Sequence, residues 1–168
     1  YAQVLGCSRL HAMAGLVAPT ADRARLHATY IANLRLAARR AAEHGITVLI
    51  EPINARDMPG YFLGTLAQAA AVIAEVGEPN LRLQFDLYHA QITEGDLTRK
   101  LERYLPLTGH VQVASVPERA EPDAGEFDAE HLFARLDALG YAGWVGCEYR
   151  PRAGTRAGLG WFAPWRSR

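Results

Sequence analysis

The sequence contains few cysteines, no excess of either charge and no long apolar run. Two of its 168 residues are cysteine, Cys7 and Cys147, and 18 Lys and Arg residues balance 18 Asp and Glu residues. Two cysteines cannot form a disulfide framework, which favours a reducing compartment, and we expect a cytoplasmic protein. The balanced charge provides no positive field for nucleic acid or an anionic membrane. No segment approaches roughly 18 uninterrupted apolar residues, so we expect no membrane-spanning helix.

Glycine-rich nucleotide-binding signatures and internal linkers are also absent. No Gly-x-Gly-x-x-Gly follows a strand pattern, and there is no Gly-x-x-x-x-Gly-Lys-Ser/Thr, so dinucleotide-binding and P-loop functions have little support. Hydrophobic residues make up 49% of the chain, which is typical of a globular protein with a sizeable core. Because no low-complexity segment divides the chain, residues 1–168 are predicted to form a single domain.

Strand patterns alternate with helix patterns along the whole chain. The predicted strands cover residues 8–13, 46–51, 81–86, 110–114 and 144–149. Helices are predicted to follow the capping residues Thr20, Thr65 and Asp128 and to start at Asp96 or a neighbour, with a short terminal helix in the aromatic tail, residues 158–168. This alternation predicts an α/β fold with parallel strands. The unit length matches that of a TIM (β/α)8 barrel, of which the chain holds about five units.

An oxygen-bearing side chain stands at or near the end of four successive predicted strands. These residues are Glu51, Asp86, Gln112 and Glu148. In a parallel barrel the carboxyl ends of all strands meet at one mouth, where TIM-barrel active sites lie. Three carboxylates and an amide would repel one another there unless a cation lay between them. Such ligands suit Mg²⁺ or Mn²⁺ better than Zn²⁺, which more often recruits His or Cys.

Each of these residues also has a simpler interpretation when it is taken alone. Glu51 precedes a proline and can be the first solvated residue of a loop, and Asp86 can cap a helix or form an Asx-turn. Gln112 is harder to explain in this way, because it alternates with two valines and therefore points to the opposite face of its strand. Glu148 lies in an apolar run. The combination of all four favours one shared site.

Several longer motifs carry a resemblance to a known family. In order along the chain they are "HAMAG", "EPIN", "FDLYHAQ", "GDLT", "HVQVASVPERAEPDAGE", "GYAGWVGCEYRP" and "GLGWF". The series resembles the hydroxypyruvate isomerase family, within the xylose-isomerase-like TIM barrels. The resemblance implies that this chain supplies the C-terminal part of such a barrel, about strands 4 to 8 with their helices, and that the three N-terminal strands are missing.

The resemblance also implies roles for individual residues. It makes the metal ligands Glu51, Asp86, Gln112 and Glu148, with Glu51 and Glu148 doubling as the acid/base pair. His89 matches a position that contacts substrate oxygens, and the alternative for it is a helix-capping or supporting histidine.

Two further residues are implied to bind substrate. Arg119 would bind the substrate carboxylate, because a guanidinium fork suits a planar carboxylate, and the alternative is an exposed loop arginine. His11 lies near the mouth if its strand belongs to the barrel, and the alternative is a core histidine.

The implied reaction is the metal-assisted interconversion of hydroxypyruvate and tartronate semialdehyde (2-hydroxy-3-oxopropanoate) through an enediolate. The expected partner is therefore a small hydroxy or oxo acid, with Mg²⁺ or Mn²⁺ as the only cofactor, and a homo-oligomer is left open. Within the same scaffold, a 2-oxo-tetronate isomerase or a ketose 3-epimerase is the alternative, although the epimerases generally resemble this pattern with His in place of Gln112. The alternatives of a different class are an inactive fragment and a DNA-repair endonuclease, which would need a histidine-rich zinc site and a basic surface.

Overall fold

The computed structural model describes residues 1–165, which form a parallel sheet with helices between its strands. The strands are β1 (Arg9–His11), β2 (Thr47–Ile50), β3 (Leu81–Asp86), β4 (Thr108–Val113) and β5 (Val145–Cys147). They follow one another in the sheet in the order of the chain, and every neighbouring pair is parallel. This arrangement is part of a TIM-type barrel, as predicted.

Of the four residues predicted to start helices, two cap their helices through their side chains and two do not. They are α1 (Arg23–Ala42), α2 (Leu66–Val76), α3 (Leu87–Thr93), α4 (Leu97–Tyr104) and α5 (Ala129–Ala138). Thr65 and Asp128 accept hydrogen bonds from backbone N–H groups of the first turns of α2 and α5, as predicted. The expected cap Thr20 is wrong, because Asp22 caps α1 by accepting from the backbone N–H groups of Ala24 and Arg25.

Other boundaries also differ from the sequence prediction. Helix α3 was not predicted, and it begins directly after β3 with Asp86 as its N-cap. Asp96 stands at the start of α4 in a left-handed backbone conformation and makes no side-chain cap. The predicted tail helix is a 3₁₀ helix over Ala157–Trp165, and the rest of that prediction lies outside the described residues. A second 3₁₀ segment covers Leu105–Leu107.

The alternation of side chains along the strands separates the helix-facing core from the inner face of the sheet. On β4, Val111 and Val113 are fully buried within the main apolar cluster, together with residues of the helices. Gln112 lies between them and points to the opposite face, as the period of two predicts. The inner face therefore carries the polar side chains. None of the helices in residues 1–165 has the length and apolar character that crossing a membrane requires.

Two edges of the sheet are open in the described part of the chain. Strand β1 pairs with β2 alone, and β5 pairs with β4 alone. The edge strands are short, with three residues each, which limits the number of unpaired backbone groups that they present. The five described strands thus form a curved segment of barrel wall rather than a closed ring.

Candidate active site

The four predicted ligand residues lie at the carboxyl end of the sheet. Glu51 directly follows β2, Asp86 ends β3, Gln112 lies within β4 and Glu148 directly follows β5. Asp86 and Gln112 are register partners in neighbouring strands. Because all strands run in the same direction, the sheet delivers these side chains to one edge, as the sequence predicts.

Glu51 is a buried carboxyl group with one oxygen that lacks a partner. Its side chain is 4% exposed, and Gln84 Nε2 donates a hydrogen bond of 2.9 Å to Oε2. His11 Nε2 lies 3.5 Å from the same oxygen. Oε1 has no hydrogen-bond partner among the described residues. Burial, and then the charges of Asp86 and Glu148, raise the pKa of Glu51 from 4.5 to about 8.

Asp86 presents a similar oxygen to the same space. Its Oδ1 accepts a hydrogen bond of 2.8 Å from the backbone N–H of Tyr88, whereas Oδ2 has no hydrogen-bond partner within residues 1–165. Burial raises the pKa of Asp86 to about 6, against the opposing effect of the bond from Tyr88. His89 Nε2 lies 3.8 Å from Asp86 Oδ2 and 3.8 Å from Glu51 Oε1, so it faces both oxygens across a gap.

The imidazole of His89 is buried. The side chain is 3% exposed, and burial, followed by the charge of Arg119, lowers its pKa from 6.5 to about 4. His11 also has a lowered pKa because of burial. Both imidazoles thus border Glu51, in agreement with their predicted position in the site.

Gln112 and Glu148 form a pair on the far side of the site. Gln112 Nε2 donates a hydrogen bond of 2.8 Å to Glu148 Oε2, and Gln112 Oε1 is buried and unpartnered in the described structure. Gly146 stands opposite Gln112 in β5. A Cβ at Gly146 would lie 3.4 Å from Gln112 Cγ and 2.9 Å from His110 Nε2. Glycine at this position therefore leaves room for the two side chains of β4.

Arg119 reaches the site from the loop after β4. Its guanidinium lies 3.1 Å from both Asp57 Oδ2 and Glu148 Oε1, and it stacks over the ring of Tyr88 at 5.1 Å. The backbone of Arg119 is left-handed, with φ of 51°, and its N–H donates to the carbonyl of Ser115. The tight loop thus directs a cation toward Glu148.

The arrangement of oxygens fits a divalent cation. Five buried side-chain oxygens lack a hydrogen-bond partner in residues 1–165: three belong to Glu51, Asp86 and Gln112, and the other two belong to Tyr30 and Asn80. Buried polar atoms are normally hydrogen-bonded, so three such atoms on adjacent strands indicate a missing partner of positive charge. Among the His, Cys, Asp and Glu side chains of the described residues, ligand atoms of Glu51, Asp86 and His89 lie within 4.8 Å of one another, whereas Glu148 is outside this group and its side chain is 57% exposed. This group could hold a metal ion, and carboxylate and amide oxygens suit a hard one.

Sequence reasoning missed three residues of the site. Gln84 donates to Glu51, Asn54 contacts His89, and Asp57 binds Arg119. A signal for Gln84 was available, since it stands two residues before Asp86 and shares its face of β3. Asn54 and Asp57 lie in the loop after β2, where no periodicity indicates the direction of a side chain.

The raised pKa of Glu51 predicts a pH dependence of stability in the metal-free protein. Between its ordinary value of 4.5 and about 8, folded Glu51 keeps a proton that the unfolded chain releases, so stability falls as pH rises. The lowered pKa of His89 acts in the opposite direction, but only below 6.5. From pH 6.5 to 8 we therefore expect the free energy of unfolding to fall by about 2 kcal/mol, at no more than about 1.4 kcal/mol per pH unit.

Urea denaturation in the presence of a chelator, at several pH values in this interval, measures the effect. Glu51→Gln cannot ionise and should flatten the dependence. An equally steep fall in the variant would contradict the assignment to Glu51.

The fold and the site together define a class of protein. A parallel β/α sheet with oxygen ligands at the carboxyl ends of successive strands is part of a TIM barrel with a candidate metal centre at its mouth. Comparison of the sequence agrees: residues 1–165 match the family model described as "Xylose isomerase-like TIM barrel". The chain belongs to the xylose isomerase-like TIM barrel family.

Three relatives are informative. The chain is 58% identical over 168 residues to the 2-oxo-tetronate isomerase of Cupriavidus necator, and the alignment covers 100% of this chain and 65% of that protein. It is 41% identical over 166 residues to the hydroxypyruvate isomerase of Escherichia coli, and the alignment covers 99% of this chain and 64% of that protein. The crystal structure of AP endonuclease, family 2, from Brucella melitensis superimposes with a TM-score of 0.95 at 51% identity. The superposition covers 99% of this chain and 64% of that one. The chain thus spans just under two thirds of the length of these relatives.

Proposed function

We propose that this chain carries the active site of a metal-assisted isomerase that interconverts hydroxypyruvate and tartronate semialdehyde. The observation that carries the proposal is the set of three buried, unpartnered oxygens on Glu51, Asp86 and Gln112, next to the cation of Arg119. The names of the C. necator and E. coli relatives support an isomerase of a short hydroxy or oxo acid.

The cation would be Mg²⁺ or Mn²⁺, held by Glu51, Asp86, Gln112 and Glu148. When bound, it would polarise the substrate carbonyl and make the neighbouring C–H more acidic. The fit rests on the donor set, which consists of oxygen atoms only: two buried carboxylates, a half-buried amide and the exposed carboxylate of Glu148.

The residues of the chain would then move one proton between adjacent carbons. A glutamate removes a proton from C3 of hydroxypyruvate, and the electrons shift to give an enediolate. A glutamate returns a proton at C2, while the hydroxyl proton passes from the C3 oxygen to the C2 oxygen. No net oxidation occurs. Glu51 and Glu148 suit these roles, because β3 and β4 lie between their strands, so that they approach the site from opposite sides.

Arg119, His89 and His11 would orient the substrate. Arg119 offers the only guanidinium that contacts a proposed ligand among the described ion pairs, and its fork suits the substrate carboxylate. His89 Nε2 faces the space between Glu51 and Asp86, where a substrate oxygen would lie. His11 borders Glu51 from the β1 side.

A second substrate is favoured by one specific observation. The 58% identity to the 2-oxo-tetronate isomerase of C. necator exceeds the 41% identity to the hydroxypyruvate isomerase of E. coli. A four-carbon 2-oxo acid would undergo the same proton transfer at the same pair of glutamates. The two substrates differ in one carbon with its hydroxyl group, and specificity then depends on how that group is accommodated.

A DNA-repair endonuclease has less support, although the B. melitensis relative carries that name. Of the histidines in the described residues, His27, His44 and His131 bond to surface partners away from the site. The net charge is zero, which provides no general attraction to DNA.

A substrate panel tests the proposal. The protein is assayed with Mg²⁺ or Mn²⁺ on hydroxypyruvate, tartronate semialdehyde, 2-oxo-tetronate and a ketose, and with Zn²⁺ on a DNA duplex that contains an abasic site. We expect turnover of the short oxo acids and none of the DNA. Cleavage of the DNA, or turnover of the ketose alone, would overturn the proposal.

Both cysteines are free and exposed, so we also propose a reducing, cytoplasmic location.

A further inference from the structure

Asn54 makes a buried contact with His89 that no part of the proposed reaction uses. Its side chain is completely buried, and its Nδ2 lies 2.6 Å from His89 Nδ1. The backbone N–H of Asn54 also points at His89 Nδ1, at 3.4 Å. One ring nitrogen of His89 therefore faces two nitrogen atoms of the same residue.

The orientation of the Asn54 amide is determined by a third contact. Asn54 Oδ1 accepts a hydrogen bond of 2.8 Å from the backbone N–H of Asp57. A backbone N–H can only donate, so the atom that it approaches is the amide oxygen and the other atom is the NH₂ group. Both groups that face His89 Nδ1 are consequently donors, and Nδ1 has to accept.

We propose that Asn54 is a positioning residue that fixes His89 in the tautomer with the proton on Nε2. With Nδ1 occupied as an acceptor, the neutral ring presents Nε2–H to the gap between Glu51 Oε1 and Asp86 Oδ2, 3.8 Å from each. The inference rests on the proposed function in one respect: the group that receives this hydrogen bond is an oxygen of the hydroxy-oxo acid substrate.

The tautomer also decides between two roles for His89. Its side chain lies close enough to Glu51 and Asp86 to complete a group of three metal ligands. A ligating Nε2, however, needs a free lone pair, and the proton would have to reside on Nδ1. The donors of Asn54 disfavour that state. His89 thus acts as a hydrogen-bond donor to the substrate, and the cation depends on oxygen ligands.

Nitrogen NMR of the ¹⁵N-histidine-labelled protein at pH 7 tests this directly. The His89 signals are assigned by their loss in His89→Gln. We expect Nε2 to have the chemical shift of a protonated nitrogen and Nδ1 that of an unprotonated acceptor, both without metal and after addition of Mg²⁺. A proton on Nδ1 in either state would overturn the proposal. This measurement needs no variant of Asn54 and no activity, so its result is independent of whether the protein is an isomerase.

Asn54→Asp provides the functional arm. The substitution preserves the acceptor for Asp57 but replaces the NH₂ group with a carboxylate oxygen, which draws a proton to His89 Nδ1. We expect the ring proton to move from Nε2 to Nδ1, so that Nε2 no longer donates, and kcat for isomerisation to fall about 10²-fold with little change in KM, as for loss of a donor that acts in the transition state. An unprotonated Nδ1 in this variant would contradict the proposal.

Asn80→Asp is the matched control. The Asn80 side chain donates to the backbone carbonyls of Ala38 and Ile46 and lies outside the site. We expect this variant to leave the His89 nitrogen shifts and kcat unchanged. If Asn80→Asp reduced kcat as strongly as Asn54→Asp, the effect of Asn54→Asp would reflect general destabilisation and the proposed role would be wrong.

Discussion

Replacing Glu51 with glutamine is expected to lower kcat for isomerisation by about 10³-fold, within the range that a positioned acid or base contributes. The amide can neither accept nor return a proton, although it keeps the size of the side chain and an oxygen. Glu148→Gln should have an effect of similar size, because the second proton transfer needs a second carboxylate. Steady-state kinetics on hydroxypyruvate and tartronate semialdehyde measure both losses.

Exchange with solvent deuterium separates the two glutamates. The residue that removes the C3 proton is needed for exchange at C3, whereas the residue that returns a proton at C2 is not. One variant should therefore retain exchange without forming product. Glu130→Gln, an exposed position in the first turn of α5, serves as the control and should keep normal activity. Near-normal turnover by either Glu51→Gln or Glu148→Gln would contradict the acid/base assignment.

A second large effect is expected on stability. A cation that binds only the folded state stabilises it by about 4 kcal/mol at a free concentration of 1,000 times its Kd. Mn²⁺ should raise the melting temperature of the protein accordingly. Asp86→Asn should abolish most of this gain, because it removes a buried negative charge whose Oδ2 has no other hydrogen-bond partner in the described structure.

The comparison needs a variant that changes a carboxylate elsewhere. Asp128→Asn retains the helix cap of α5, since both side chains can accept from the backbone N–H of His131. We expect it to show the full stabilisation by Mn²⁺. An equal gain for Asp86→Asn and the unmodified protein, measured by scanning calorimetry with and without metal, would show that Asp86 is not a ligand.

The strand–helix alternation could be predicted because most units carry their own local signals. Thr65 caps α2, and Gly77 ends it with φ of 73°. Helix α3 escaped prediction because it has seven residues, too few for a 3.6-residue period to emerge, and because Asp86 is both the last residue of β3 and the cap of the helix. At α1 two residues able to cap stand close together, and the structure uses Asp22, which is preferred over threonine as an N-cap.

The candidate site could be predicted where side-chain direction follows from the backbone period. Gln112 alternates with valines, so its face was predictable, and its hydrogen bond to Glu148 agrees. The role of Arg119 is predicted from a motif, but the direction of its side chain depends on a left-handed backbone conformation that no sequence pattern indicates. Asn54 makes contacts at a separation of 35 residues from a loop without regular structure. Such long-range polar contacts arise from tertiary structure and leave no trace in local spacing.

The strands have the same order in the sheet as in the chain, and this order limits the entropic cost of bringing the ligand residues together. The four ligand residues are 35, 26 and 36 positions apart in the chain, and they lie in or directly after adjacent strands of the sheet. Bringing such a pair together closes a loop of moderate length, and a doubling of loop length adds only about 0.6 kcal/mol of entropic cost. Ligand residues on neighbouring strands are therefore brought together at a low entropic cost. The opposing term is the repulsion among the carboxylates of Glu51, Asp86 and Glu148, which a bound cation would offset.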